Sequence, residues 1–419
     1  MSEALSIAGR APWLADPALQ RLLAVLNADG EQARVVGGAV RNTLLDRPVS
    51  DIDIATTALP DETMRRAAQA GFRAVPTGYD HGTVTVVAGH RGYEVTTLRR
   101  DVETDGRRAR VRYGRDWRED AERRDFTINA LYCDADGTVH DDVGGIGDLR
   151  AGLLRFIGDA EARIGEDYLR ILRFFRFHAW YGSGRPDAEG LKACARLKGG
   201  LAGLSAERVW AELRKLLSAP DPGRTLLWMR QTGVLTAVLP ESEKWGIDAM
   251  PGLLSAERDL GWTPDPLVRL EAIVPPDAAR MATLAERLRM ANAERDRLVA
   301  WAFVGAISPE MDDRTLRRLL FEAGRQPLAD RLRLALASAR AKAADDHAAL
   351  HAAANHLRQV NVAETWEKPD MPVRGADLIA RGIAAGPQIG AALAQLTERW
   401  IASDFTLSRE ALLETKDDT

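Results

Sequence analysis

Apolar and polar positions change rhythm once along the chain. Over roughly the first 150 residues, short apolar runs with period-two alternation occur at 33–36, 51–54, 83–87, 93–98 and 128–133. Gly-containing turns and helical stretches such as 61–70 separate them. Beyond about Asp159 the alternation stops and helical periodicity takes over, at 204–217, 281–288, 316–321 and 389–401. The pattern predicts an α+β head followed by an all-helical remainder. Pro- and Gly-rich breaks at 220–223, 263–266 and 275–276, and a weaker one near 366–375, subdivide the helical part. The expected boundaries are 1–150, 151–219, 220–365 and 366–419. Between 99 and 125 both charge signs crowd a stretch nearly free of aliphatic residues, which predicts a mobile surface loop.

Composition narrows this picture in few ways. No apolar run reaches the ~18 residues a bilayer span needs, and the N-terminus, with Glu3 and Asp16, lacks a signal-peptide pattern. The expectation is a cytoplasmic protein without a membrane partner. Two cysteines, Cys133 and Cys194, offer neither a disulfide framework nor a Cys-based zinc site, and no disulfide-linked partner is expected. The net charge of -4 hides a bias: 50 arginines stand beside 7 lysines, so the positive charge is guanidinium, suited to phosphate and base edges. His347 and His351 have helical metal-ligand spacing, but their Ala-rich surroundings lack the accompanying Glu, and a surface or packing role is expected.

Candidate chemistry concentrates in the first half. In Val35-Val36-Gly37-Gly38-Ala39-Val40-Arg41 a β-run ends in two glycines and a helix begins. Backbone N–H groups near Gly38 can face a phosphate there, and Arg41 on the first turn can reach the same anion. Asp51-Ile52-Asp53 follows ten residues beyond Arg41, and alternation puts Asp51 and Asp53 on one face of a strand. Adjacent carboxylates repel unless a cation lies between them, and oxygen-only ligation suits Mg²⁺. Glu94, an acid inside a β-run, is the candidate third carboxylate. The run Arg123-Arg124-Asp125-Phe126-Thr127-Ile128-Asn129 offers two forks and a carboxylate. Spacing alone leaves it open whether these dock a triphosphate and ribose or anchor a loop.

Gly37-Gly38-Ala39-Val40-Arg41, Asp51-Ile52-Asp53 and Arg123-Arg124-Asp125-Phe126-Thr127-Ile128-Asn129-Ala130 together resemble the bacterial class II CCA-adding enzyme and poly(A) polymerase family, of the polymerase β-like nucleotidyltransferases. Asp142-Val143-Gly144-Gly145 with Asp148-Leu149 is similar to that family's hinge between head and neck. Glu166-Asp167-Tyr168-Leu169-Arg170, continuing to Phe177, resembles its nucleotide-selecting helix, and Leu204-Ser205-Ala206-Glu207-Arg208 with Glu212 resembles the helix that braces it. A weaker likeness covers Gly375-Ala376-Asp377-Leu378. Asn42 departs from the pattern, which usually has Asp after Arg41.

The resemblance implies a catalytic head, a nucleotide-selecting neck, and a body and tail that hold the tRNA acceptor arm. It implies Asp51, Asp53 and Glu94 as catalytic acids, the first two holding Mg²⁺. Gly38, Arg41, Arg124, Asp125, Asn129, Asp167, Arg170, Arg173 and Arg176 fall around the nucleotide. The reaction is untemplated addition of CCA to tRNA from CTP and ATP; a poly(A) polymerase or a split CC- or A-adding enzyme of the same family is the alternative. Asp167 and Arg170, three apart, are expected on one helix face. An ionised Asp only accepts and an Arg only donates hydrogen bonds. Cytosine and adenine each show a donor beside an acceptor, whereas uracil and guanine show the reverse order. One Asp/Arg pair thus suits C and A and opposes U and G.

Overall fold

The computed structural model describes residues 5–105, 108–243, 245–343 and 346–414, and of residues 101–111 the backbone alone. Helix α1 (Pro17–Leu26) precedes strand β1 (Ala33–Val36), which turns through Gly37 into α2 (Gly38–Leu44). Then come β2 (Asp53–Thr56), α3 (Pro60–Gln69), β3 (Arg73–Gly78), β4 (Thr83–Ala88) and β5 (Arg91–Thr97). With β8 (Leu131–Cys133) and β9 (Val139–Asp141) these make a seven-stranded sheet ordered β3-β4-β5-β2-β1-β8-β9. Strands β2 and β5 run parallel, with Asp53 opposite Glu94. A parallel pair needs a long crossover, here supplied by α3 and the β3–β4 hairpin.

Three expectations about this head need correction. Asp51 precedes its strand, which begins at Asp53, although burial still alternates through Asp51, Ile52, Asp53 and Ile54. The expected strand at 128–133 is a single 3₁₀ turn, Thr127–Asn129, followed by the shorter β8. The expected loop at 99–125 is a two-stranded hairpin, β6 (Arg99–Asp105) with β7 (Arg108–Tyr113), followed by helix α4 (Trp117–Glu122). A ladder of backbone hydrogen bonds needs no apolar face, so charge crowding hid it. Residues 106 and 107 of that stretch lie outside the described residues.

Beyond β9 no strand occurs among the described residues. Helix α5 (Gly145–Ala151) opens on Gly144, which has φ 81°. The backbone of Gly145 lies against that of Thr127, so close that an added Cβ would meet the Thr127 carbonyl oxygen at 2.2 Å. Helices α6 (Ala160–Glu166), α7 (Leu169–Tyr181), α8 (Ala188–Leu197) and α9 (Ala206–Leu217) follow. Phe126, Phe156, Phe174 and Phe177 pack ring on ring where the head chain meets α7.

Contacts divide the chain into two compact units, Met1–Pro240 and Glu241–Thr419. The second is helical throughout its described residues, with a core that includes Leu316, Leu320, Leu328, Leu332 and Leu336. It also buries polar groups. Arg269 pairs with Glu257 at 2.7 Å, and Arg297 bridges Asp265 and Asp330 at 2.7 Å each. Glu271 is 1% exposed and neither carboxyl oxygen has a hydrogen-bond partner among the described residues. His347 and His351 lie exposed on one helix, His347–Thr365. Cys133 and Cys194 are buried and free. No helix among the described residues is long and apolar enough to cross a membrane.

Candidate active site

A cleft of about 500 Å³ opens in the first unit. Its walls come from the β1–α2 turn, β2, the Arg-Arg-Asp run and α7, and seven arginines and three aspartates are among the described residues lining it. Gly37, with φ 72°, makes a turn that side chains rarely adopt; a Cβ there would only reach ordinary contact with the Asn129 carbonyl at 3.4 Å, so it is the backbone angle that calls for glycine. Gly38 starts α2 at the cleft wall.

The acids gather at one end. In-register pairing of β2 with β5 puts Glu94 beside Asp53. Asp53 is open to solvent on the cleft side, yet surrounding protein, then the Glu94 and Asp51 carboxylates, push its pKa up; Arg124 pulls the other way. Among the described residues no group of three or more His, Cys, Asp or Glu side chains is arranged to hold a metal ion by itself. Asp51 and Asp53 offer hard carboxylate oxygens, a partial donor set that a divalent cation would complete with oxygens from water or substrate.

The arginines are held by a connected set of acceptors. Arg41, 6% exposed, donates from Nη2 to the Tyr181 hydroxyl at 2.8 Å and to Asn42 Oδ1 at 3.0 Å, and from Nη1 to Asn129 Oδ1. Asn129 in turn donates to Asp125 at 3.0 Å, and Asp125 pairs with Arg173 at 2.6 Å. Burial works to raise the Asp125 pKa, but Arg173, Asn129 and the Phe126 N–H hold it at about 2. Arg173 and Arg176 both lean on Glu212 of α9, Arg176 at 2.5 Å. Arg124 is held by Asp120 at 3.1 Å and faces the Tyr132 ring.

Asp120 and Arg163 were missed by sequence reasoning. Asp120, 1% exposed, accepts from Arg123, Arg124 and the Tyr132 hydroxyl. Its spacing of three and four residues from the two arginines was the available signal. Arg163 donates to the Arg124 carbonyl at 2.7 Å and pairs with Glu166.

The Asp167–Arg170 expectation needs one correction. The two do not share a helix face, because α6 ends at Glu166 and Asp167 is extended (φ -156°, ψ 107°). Its carboxylate accepts from the Leu169 N–H at 3.0 Å, holding the start of α7, and pairs with Arg208 of α9 at 2.6 Å. Arg170 pairs instead with Glu166 and donates to the Arg163 carbonyl at 2.6 Å. Both nonetheless line the cleft, as do Gly38, Arg41, Asp53, Arg124, Asp125, Asn129, Arg173 and Arg176. Asp51 and Glu94 are not among the lining residues but lie near Asp53, which is.

Comparison with known proteins agrees with this architecture. Residues 33–155 match the "Poly A polymerase head domain" and residues 185–245 the "Probable RNA and SrmB- binding site of polymerase A". The mitochondrial CCA tRNA nucleotidyltransferase 1 of Mus musculus is 33% identical over 94% of this chain and 88% of its own length. The CCA-adding enzyme of Geobacillus stearothermophilus is 42% identical over 54% of this chain and 55% of its own. The crystal structure of the Bacillus stearothermophilus CCA-adding enzyme in complex with CTP superposes with a TM-score of 0.68 at 28% identity, covering 92% of this chain and 93% of that one. Likeness running through nearly the whole of both chains reflects descent of the entire polypeptide, and this chain belongs to the CCA-adding enzyme and poly(A) polymerase family of metal-dependent nucleotidyltransferases.

Proposed function

We propose that the chain adds CCA to the 3′ end of tRNA from CTP and ATP, releasing pyrophosphate, with the described cleft as its nucleotide site. The observation that carries this reading is one cleft joining an acidic end at Asp53 to a wall of arginines and to the Asp167/Arg170 pair. Asp51 and Asp53 would hold Mg²⁺, which would supply activation of the attacking 3′-hydroxyl and offset charge on the leaving group. Glu94 keeps the acidic end negative. Arg41 and Arg124 meet the triphosphate; Asn129, itself held by Asp125, fixes Arg41, and Asp120 fixes Arg124. Attack is at the α-phosphate, and holding its oxygens among fixed guanidinium groups lowers the barrier by preorganised charge.

Asp167 and Arg170 read the base. A carboxylate accepts about four hydrogen bonds, so the contacts to Leu169 and Arg208 leave room for the amino group of cytosine or adenine. The N–H groups of Arg170 beyond those given to Glu166 and Arg163 face the neighbouring ring nitrogen. Arg173 and Arg176, braced by Glu212, complete the wall. The head is assigned to 1–150, the selecting neck to 151–219, the body to 220–365 and the tail to 366–419. Body and tail hold the acceptor arm by shape and phosphate contacts, since every tRNA must be accepted.

The test supplies purified protein with tRNA ending before CCA and each labelled nucleotide, singly and together. Two C and one A, then arrest, is the expected result. A-only tails of indefinite length mean a poly(A) polymerase, and CC or A alone means a split enzyme.

A further inference from the structure

Helix α7 serves the cleft at both of its ends. Arg170, near its start, lines the cavity beside Asp167. Its last residue, Tyr181, is half-buried and is not among the described residues that line the cavity. The Tyr181 hydroxyl nonetheless accepts from Arg41 Nη2 at 2.8 Å, and its ring centre lies 4.0 Å from the Arg41 guanidinium.

Arg41 belongs to the head, which holds it through amide oxygens. Asn42 Oδ1 takes Nε at 3.2 Å and Nη2 at 3.0 Å, and Asn129 Oδ1 takes Nη1. Asp125 stands behind Asn129 and adds its negative charge at one remove. Tyr181 is the contact from the neck, and it grips in two ways. The ring face attracts the cation and sets where its plane lies, while the hydroxyl takes one N–H and sets how that plane is turned. Phe177, one turn earlier on α7, supports both groups, at 5.3 Å from Arg41 and 5.8 Å from the Tyr181 ring. Arg47, on the segment that leads into Asp51, also lies over the Tyr181 ring at 5.1 Å and donates to the Trp180 carbonyl at 2.5 Å. The ring is thus held from the side of the acids as well.

We propose that Tyr181 is a positioning residue that holds Arg41, by hydroxyl and ring face together, in the orientation in which it meets the phosphates of the incoming nucleotide. The proposal rests on the nucleotide-cleft reading. An arginine already held in place meets an anion without first losing its own freedom, so the phosphates gain affinity from a residue they do not touch. Base choice belongs to the other end of α7 and is independent of this contact.

Three measurements on the full chain, with tRNA ending before CCA and Mg²⁺ in excess, test it. They are KM and kcat for CTP and ATP, the inhibition constant of inorganic tripolyphosphate against CTP, and the ratios of kcat/KM among the four nucleotides. Tripolyphosphate carries the anion without the base. Tyr181→Phe keeps the ring and removes the acceptor, and is expected to raise the tripolyphosphate constant and both KM values roughly threefold, the scale of one hydrogen bond. Tyr181→Leu removes the ring face as well and is expected to raise them roughly tenfold. In both variants the ratios among the four nucleotides stay as in wild type.

A tripolyphosphate constant unchanged in both variants overturns the proposal, whatever their melting temperatures. A rise accompanied by collapse of the nucleotide ratios overturns it too, because Tyr181 would then seat α7 as a whole instead of orienting Arg41. Should Tyr181→Leu not fold, Tyr181→Phe decides alone. A wild-type enzyme that tripolyphosphate does not inhibit competitively contradicts the cleft reading itself, and the proposal with it.

Discussion

The cleft of the first unit and the core of the second both bury ionisable side chains, and they handle them in opposite ways. Around the cleft, acids stand behind arginines: Asp120, Asp125, Glu166 and Glu212 each hold a guanidinium that lines the cavity. Burial disfavours those charges, and their mutual attraction repays it only because the geometry is hydrogen-bonded throughout. In the second unit Arg269 and Glu257 pair in the interior, and Glu271 is enclosed with no hydrogen-bond partner for either carboxyl oxygen among the described residues. Burial, then the nearby Asp330, pushes the Glu271 pKa well above the ordinary carboxyl range, with Arg297 pulling the other way. One region keeps charge and aims it at open space. The other hides a carboxyl that is comfortable only when neutral.

The sharpest way to break the comparison is at the acidic end. Asp53→Asn is expected to cut nucleotide transfer by a factor of about a thousand or more, while Tm stays level or rises because a crowded, desolvated charge is gone. Steady-state transfer and thermal melting together check this, and activity within tenfold of wild type would remove Asp53 from the metal site. Next in size is base choice. Arg170→Ala removes a donor and is expected to lower discrimination against UTP and GTP by roughly 1–3 kcal/mol, the scale of a bidentate base contact. The ratios of kcat/KM for the four nucleotides report it, and unchanged ratios would leave Arg170 as a mere partner of Glu166.

The two smaller predictions concern pH and have opposite signs. Asp125 is held at about 2, below its ordinary 3.8, so its stabilising contribution is present above about pH 3.8 and lost as pH falls through 2. Asp125→Asn should lower Tm at pH 7 by roughly 2–8 °C, and the gap should close toward pH 2. Glu271 is shifted upward from 4.5, so its folded form is at full advantage below pH 4.5 and loses stability as pH climbs toward the raised value. Glu271→Gln, a neutral isostere, should raise the Tm of the second unit's transition by roughly 2–4 °C at pH 8 and by less at pH 5. Melting curves across pH decide both, and a Glu271→Gln gain independent of pH would mean that the buried acid is not the cause.

Local pattern carried much of this molecule. β1, β4 and the helix at Ala206–Leu217 follow from residues adjacent in sequence, and the Gly37-Gly38 turn follows from a backbone only glycine takes easily. Alternation places Asp51 and Asp53 on one face, although the strand itself begins only at Asp53. Glu94 is legible as the third carboxylate because it is an acid inside a β-run; its register opposite Asp53, across forty residues of chain, leaves no local trace. Asp167 reads as helical because residues 166–177 resemble the family's nucleotide-selecting helix. A carboxylate accepting the N–H two residues ahead is a helix-starting signal, and it sets Asp167 just before α7 instead of within it. Asp120 vanished among the charges of 99–125, where composition cannot separate a buried acid from a solvated one.

The touching backbones at Gly145 and Thr127 carry a consequence at the level of heredity. Any amino-acid change at position 145 adds a Cβ, and that atom would stand 2.2 Å from a carbonyl oxygen that is itself part of the chain and cannot rotate aside. The genetic code therefore offers this codon no gentle exit, since every missense step from it meets the same wall. Gly147, two residues on, meets nothing within 4 Å, and its codon is free to drift.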